Sequence, residues 1–231
     1  VQAILLKPKE TWPVIEAEAG DVPSIYKNYL IYLAAIPAVA GFIGMSVFGV
    51  GAFGVSFRVP ILAGLVNMVV GFVLSLAMVY VLALIANALA PTFKGEKNLL
   101  NAFKLVAYGA TAGMVGGIFN LLPALSMLGL LAALYSIYLI YTGIPVLMKA
   151  PEDKALGYTA VLIVCGIVAG IIIGAVSAMF TGGGAGMHMG AASPSGEVEI
   201  KTRKGGAKEA LPTDAGIAKL IDLVKKGRDL A

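Results

Sequence analysis

Charge is nearly missing from long stretches of this chain. No Asp, Glu, Lys or Arg occurs between Arg58 and Lys94, between Lys104 and Lys149, or between Lys154 and Glu197. Each interval exceeds the roughly 20 apolar residues that cross a hydrocarbon core. Over all 231 residues only 13% are charged and 59% are hydrophobic, where a soluble domain carries roughly 25% charged residues. The mean hydropathy is +0.90. A soluble globular domain is excluded, and an all-α integral membrane protein is expected.

Cysteine and histidine are also scarce. The single cysteine, Cys165, lies inside an apolar run, so it has no intrachain disulfide partner and reads as a small buried apolar side chain. For hydrolytic chemistry the chain lacks a second histidine, a cysteine with a base partner and paired intramembrane carboxylates. Glu152 and Asp153, flanked by lysines, read as a solvated loop. No catalytic residue and no cofactor is expected, and the protein reads as a non-enzyme. The formal charge of +4 is too small and too scattered to indicate nucleic acid.

What is present is five apolar runs. They are expected at about 28–51, 59–90, 102–122, 124–148 and 155–180. The third and fourth divide at NLLP, Asn120 to Pro123, because proline donates nothing to a helix ladder and biases the residue before it away from helix. The first run is read as a span rather than the core of a cleavable signal, since more of the same follows. Lys7, Lys9, Lys27, Lys94, Lys97, Lys104, Lys149 and Lys154 fall on one side of this arrangement, and the short loops of the other side offer only Arg58. Positive residues in short loops mark the cytoplasm. The N-terminus is therefore expected on the cytoplasmic side and, five being odd, the C-terminal tail on the opposite side.

Four regions follow from this pass. Residues 1–27 read as a cytoplasmic interfacial segment. Pro8 opens a short helix there, Leu5, Trp12 and Ile15 face the bilayer, and Trp12 anchors at headgroup level. Residues 28–180 form the five-helix domain. Residues 181–196 have the composition of a flexible glycine-rich linker. Residues 197–231 read as a soluble tail with a short strand and an amphipathic helix, whose stripe of Ile217, Leu220, Ile221 and Val224 is suited to docking on a partner.

Glycine supplies the clearest local pattern. Gly109, Gly113 and Gly117 recur every four residues in the third span, and Gly166, Gly170 and Gly174 in the fifth. In lipid, small residues let helix backbones approach closely, so the two ladders are expected to pack on one another or to form a homo-oligomer face. Polar groups within the spans are few, chiefly Asn67, Asn87 and Asn120, which read as interhelical hydrogen-bonding groups or as an intramembrane polar site. Met187-His188-Met189 is the one metal-like cluster, with Cu(I)-type donors. Set in a glycine linker with a single histidine, it reads as a spacer, and no metal site is assigned.

The segments ILLKPKETWPVIEAE and LLPALSMLGLLAALYSIYLIYTGIPVLMKAPEDKALGYTAVLIV carry a family resemblance. Leu5 or Leu6, Pro8, Trp12 and Ile15 match the opening motif; Tyr135, Tyr138, Leu139, Gly143, Lys149, Pro151, Lys154 and Ala155 match the fourth span and its loop. Over roughly residues 3 to 180 the chain resembles a prokaryotic member of the Yip (Ypt-interacting protein) domain family. The resemblance implies five membrane helices and a cytoplasmic N-terminus. Eukaryotic relatives are associated with Rab-type GTPases, but they carry a longer N-terminal cytoplasmic domain where this chain has a brief segment, which argues against GTPase binding here.

The function expected is a scaffold or adaptor in membrane organisation or membrane-protein assembly, its partners being the lipid bilayer and other membrane proteins or itself. The alternative is a transporter or channel for a small solute, ion or lipid that uses the asparagines and the Pro37 and Pro145 interruptions.

Overall fold

The computed structural model describes residues 1–52, 55–57, 59–122, 125–180, 197–200 and 209–212. The linker with Met187, His188 and Met189, and the tail stripe of Ile217, Leu220, Ile221 and Val224, lie outside the described residues. The chain divides into two units, Val1–Gly183 and Gly184–Ala231.

The first unit begins with two short helices, α1 (Gln2–Leu6) and α2 (Pro8–Ala17). Pro8 occupies the first turn of α2, where a missing N–H costs nothing, and Glu10 lies near its positive end. Five helices long and apolar enough to cross a membrane follow. The first span, Val22–Phe48, is opened by a reciprocal cap. Asp21 Oδ1 accepts from the Ser24 amide at 3.1 Å, and the Asp21 amide donates back to Ser24 Oγ at 3.3 Å. Its turns widen to π geometry at Tyr26–Leu30 and Gly44–Phe48, with Pro37 between. Gly49, at φ 75°, ends it in a conformation that suits glycine. A small antiparallel hairpin, β1 (Val50–Ala52) with β2 (Val55–Phe57), leads to the second span, Ile61–Phe93.

The third span, Leu99–Leu121, is capped by Asn98 and interrupted at Ala110, and it tightens to a 3₁₀ turn over Gly117–Leu121. The fourth span is Ser126–Leu147 and the fifth is Glu152–Phe180. The break expected at NLLP falls between the end of the third span at Leu121 and the start of the fourth at Ser126.

The third span is the axis of the bundle. Of its apolar stretch 61% is buried, against 11–33% in the other four. It packs on the first, second and fourth spans, and the fifth packs on the second and fourth. The expected pairing of the third with the fifth is not what forms. A Cβ on Gly109 would stand 2.6 Å from Ile140 Cγ1, and one on Gly113 would stand 3.3 Å from Ser136 Oγ, both on the fourth span. Gly117 is closed over by Pro37 of the first span. Around Gly166, Gly170 and Gly174 nothing among the described residues lies within 4 Å of where a Cβ would be. The physical reason is topological. The short connection from Leu121 to Ser126 brings the fourth span back along the third, so the third span's ladder is filled by its sequence neighbour.

In the second unit β3 (Glu197–Ile200) pairs antiparallel with β4 (Glu209–Pro212), Glu197 opposite Pro212 and Ile200 opposite Glu209.

Candidate functional site at the capped end of the bundle

The polar chemistry of the first unit gathers at one end of the bundle, where α1 and α2 lie across the third and fourth spans. Trp12, expected at a membrane boundary, is fully buried. The apolar side of α1 and α2 faces the bundle instead of the bilayer: Ile4 of α1 and Ile15 of α2 are buried with Trp12, while Leu6 and Val14 stay exposed. The indole ring lies on Gly143 of the fourth span, where a Cβ would stand 2.7 Å from Trp12 Cε2 and 2.7 Å from Leu105 Cδ1. Real Cβ contacts do not come that close, so the slot for the ring exists because residue 143 is glycine. Trp12 Nε1 donates to Thr142 Oγ1 at 3.1 Å, which satisfies the donor that a buried indole must place.

Further links hold the segment down. Tyr135 Oη, one turn pair below Thr142 on the same span, donates to the Leu5 carbonyl at 2.7 Å. Lys149 pairs with Glu16, both partly exposed, and such pairs contribute little in water. The most extensive polar link is Lys104. Its residue is buried, and Nζ donates to the carbonyls of Ile15 at 2.7 Å, Glu16 at 3.3 Å and Glu18 at 2.6 Å. These are the carbonyls a helix leaves unpaired at its C-terminal end, where the dipole also favours a cation. One lysine thus satisfies the end of α2 and takes most of its own hydration back from backbone oxygens.

Sequence reasoning placed Lys104 at the start of the third span and used it only to mark the cytoplasmic side. The signal was there. A charged side chain inside a span is retained only when it has a partner, and this one lies five residues beyond Leu99.

Beside Lys104 a cavity of about 240 Å³ opens between the end of α2, the first span and the third. Its polar lining comes from Glu18, Ser24, Asn28, Tyr29, Lys104 and Tyr108. The Tyr29 and Tyr108 rings pack at 4.6 Å between centroids with a 49° tilt, and Tyr29 Oη shares a 2.7 Å hydrogen bond with Thr111 Oγ1, which itself donates to the Tyr108 carbonyl at 2.6 Å.

The three asparagines do not converge. Asn67 and Asn120 are exposed near one end of the bundle, and Asn87 is half-buried toward the other with its Oδ1 unpartnered among the described residues. None of them lines the cavity. Among the described residues no three His, Cys, Asp or Glu side chains come together as a metal site.

The two separated sequence motifs therefore meet in space, Trp12 on Gly143 and Tyr135 on Leu5. A model of the Yip1 domain matches the chain over residues 3–174. The chain belongs to the Yip1 domain family. Inner membrane protein YohC of Escherichia coli strain K12 is 23% identical over 172 residues, covering 73% of this chain and 88% of that protein. The protein of the same description from Escherichia coli O6:H1 matches to the same extent. No solved structure matches. The five spans are thus those of a helical integral membrane domain of the Yip1 type. Trp12, Gly143, Tyr135 and Leu5, on which the resemblance was read, form the contact that docks the N-terminal segment on the fourth span.

Proposed function

We propose that this Yip1-domain protein is a non-enzymatic scaffold or adaptor that works by association within the membrane. We place it in a prokaryotic inner membrane with its N-terminus cytoplasmic and its tail on the opposite side. The two Escherichia coli relatives are inner membrane proteins, which supports the location, and the lysine distribution supports the orientation.

The observation that carries the reading is the unfilled glycine face of the fifth span. The ladder of the third span is closed by side chains of its neighbours, while Gly166, Gly170 and Gly174 have nothing among the described residues within 4 Å of where a Cβ would be. A helix in lipid gains association free energy where small residues admit a second backbone, so this face is suited to a helix from another membrane protein or from a second copy. A polar path for a solute has less support, because the asparagines lie at opposite ends of the bundle and outside the cavity.

Crosslinking in native membranes tests the reading, with three chains compared: full length, ending at Phe180, and Gly170→Leu. A defined adduct lost in Gly170→Leu assigns the association to the fifth span, and one lost on truncation assigns it to the tail. Adducts unchanged in both variants, or none in any chain, would remove the adaptor reading. Solute flux in liposomes would then be the measurement to make.

A further inference from the structure

The cavity beside Lys104 has a charge balance that the fold does not complete. Lys104 is 3% exposed, and its protons are directed to three backbone carbonyls. Among the described residues no carboxylate lies within 4 Å of its ammonium group. Carbonyls stabilise the cation without cancelling its charge, and the nearest acids offset it only from beyond that distance, Glu16 being paired with Lys149 and Glu18 exposed at the cavity rim. Two further donors line the same space. They are the half-buried Tyr108 hydroxyl and the exposed Asn28 amide, neither with a protein hydrogen-bond partner among the described residues.

We propose that this cavity seats an anionic phosphate group, with the headgroup of a membrane phospholipid as its source. Lys104 supplies the charge, and Tyr108 Oη and Asn28 Nδ2 supply the hydrogen bonds.

Size and depth favour the lipid. At about 240 Å³ the cavity is smaller than the roughly 300–1,000 Å³ of pockets that enclose whole ligands. It fits a headgroup whose chains remain outside. Lys104 stands five residues inside a span of 23 residues, about 8 Å along the axis at 1.5 Å per residue. A helix of that length exceeds a hydrocarbon core of about 30 Å, which leaves Lys104 near the headgroup boundary. Glu18, exposed at the rim, opposes an anion and sets a limit on affinity. The inference does not depend on the adaptor reading, since it concerns a different face of the bundle.

The test uses the full chain, delipidated in a neutral maltoside detergent, with binding followed by native mass spectrometry. The probes are short-chain phosphatidylglycerol, the matching diacylglycerol, and inorganic phosphate. Phosphatidylglycerol is expected to bind and diacylglycerol not to. A hydrogen bond to a charged group contributes about one decade of affinity or more. Tyr108→Phe and Asn28→Ala are each expected to weaken binding at least about tenfold, and neither group supports the fold through a hydrogen bond. Unchanged Trp12 fluorescence confirms that the variants remain folded. Glu18→Gln is expected to tighten binding, and weakening there would mean a cationic ligand and overturn the proposal. Equal binding of inorganic phosphate would keep the site and assign it to a soluble phosphate. Equal retention of phosphatidylglycerol and diacylglycerol, or wild-type binding by the Tyr108→Phe/Asn28→Ala pair, would overturn it.

Discussion

Replacing Trp12 with alanine should release the N-terminal segment without unfolding the five spans. Trp12 is fully buried, and emptying such a site costs about 3–5 kcal/mol in protein cores. That figure includes the lost hydrogen bond to Thr142, and no orphan penalty is added. Thr142 Oγ1 remains within reach of the Tyr138 carbonyl at 3.1 Å and the Leu139 carbonyl at 3.0 Å. The remaining links, Tyr135 to Leu5 and Lys104 to the end of α2, are hydrogen bonds of about 1–3 kcal/mol each. Removing the ring therefore takes away the largest single term in the docking equilibrium. At about 1.4 kcal/mol per decade the opening constant rises roughly a hundredfold to a few thousandfold. Amide hydrogen exchange on the purified protein measures this directly. Residues 14–17 should exchange faster by that factor, while amides of the third and fourth spans stay protected. Trp12→Phe, which keeps an aromatic ring over Gly143 and loses only the N–H, should recover most of the protection. Wild-type protection of α2 in Trp12→Ala would refute the docking argument. Equal loss in the spans would refute the claim that docking is separable from the bundle.

Three further outcomes follow from the same contacts. Lys104→Met leaves the carbonyls of Ile15, Glu16 and Glu18 without their donor, at about 1–3 kcal/mol. Exchange should rise at the end of α2, and Lys104→Arg should not rescue it, because a planar fork does not match three carbonyls around a point charge. Gly109→Ala should lower thermal stability by about 1–3 kcal/mol through overpacking against Ile140. Gly170→Ala, with open space at its Cβ position, should be neutral or gain up to about 1 kcal/mol of helix propensity; equal melting shifts for the two would contradict the packing. Asp21, exposed at the start of the first span, has its pKa held below the usual carboxylate value first by the Ser24 hydroxyl and then by the Ser24 amide. Its cap is therefore fully present above the ordinary carboxylate pKa and is lost as pH falls through the lowered value. Amides of the first turn should exchange faster in that acid window in the wild type, and Asp21→Asn should flatten the dependence.

The number of spans and the break at NLLP were legible because the bilayer leaves so little freedom. Charges between Arg58 and Lys94, or between Lys104 and Lys149, would be expensive at any packing, so their absence carries the architecture by itself. Partner choice among helices has no comparable one-dimensional signal. The ladders at Gly109 and Gly166 read alike in sequence, yet one is filled by Ile140, Ser136 and Pro37 and the other is open. Loop length between the third and fourth spans was the better guide, since a short turn forces antiparallel neighbours.

Trp12 illustrates the harder ambiguity. An amphipathic helix beside a membrane shows the same apolar stripe whether it faces lipid or protein, so composition alone does not separate the two. Chemistry on the partner does. A helix lying in the interface needs no lysine beneath its C-terminal carbonyls and no glycine opposite its tryptophan. This chain has both, Lys104 under Ile15 and Glu18 and Gly143 under the indole. The polar residues that sequence reading left over at the margins of spans three and four are therefore the ones that convert an interfacial stripe into a docked cap. By the same logic the fifth span, whose glycines have no neighbour among the described residues, is where a second backbone has most to gain.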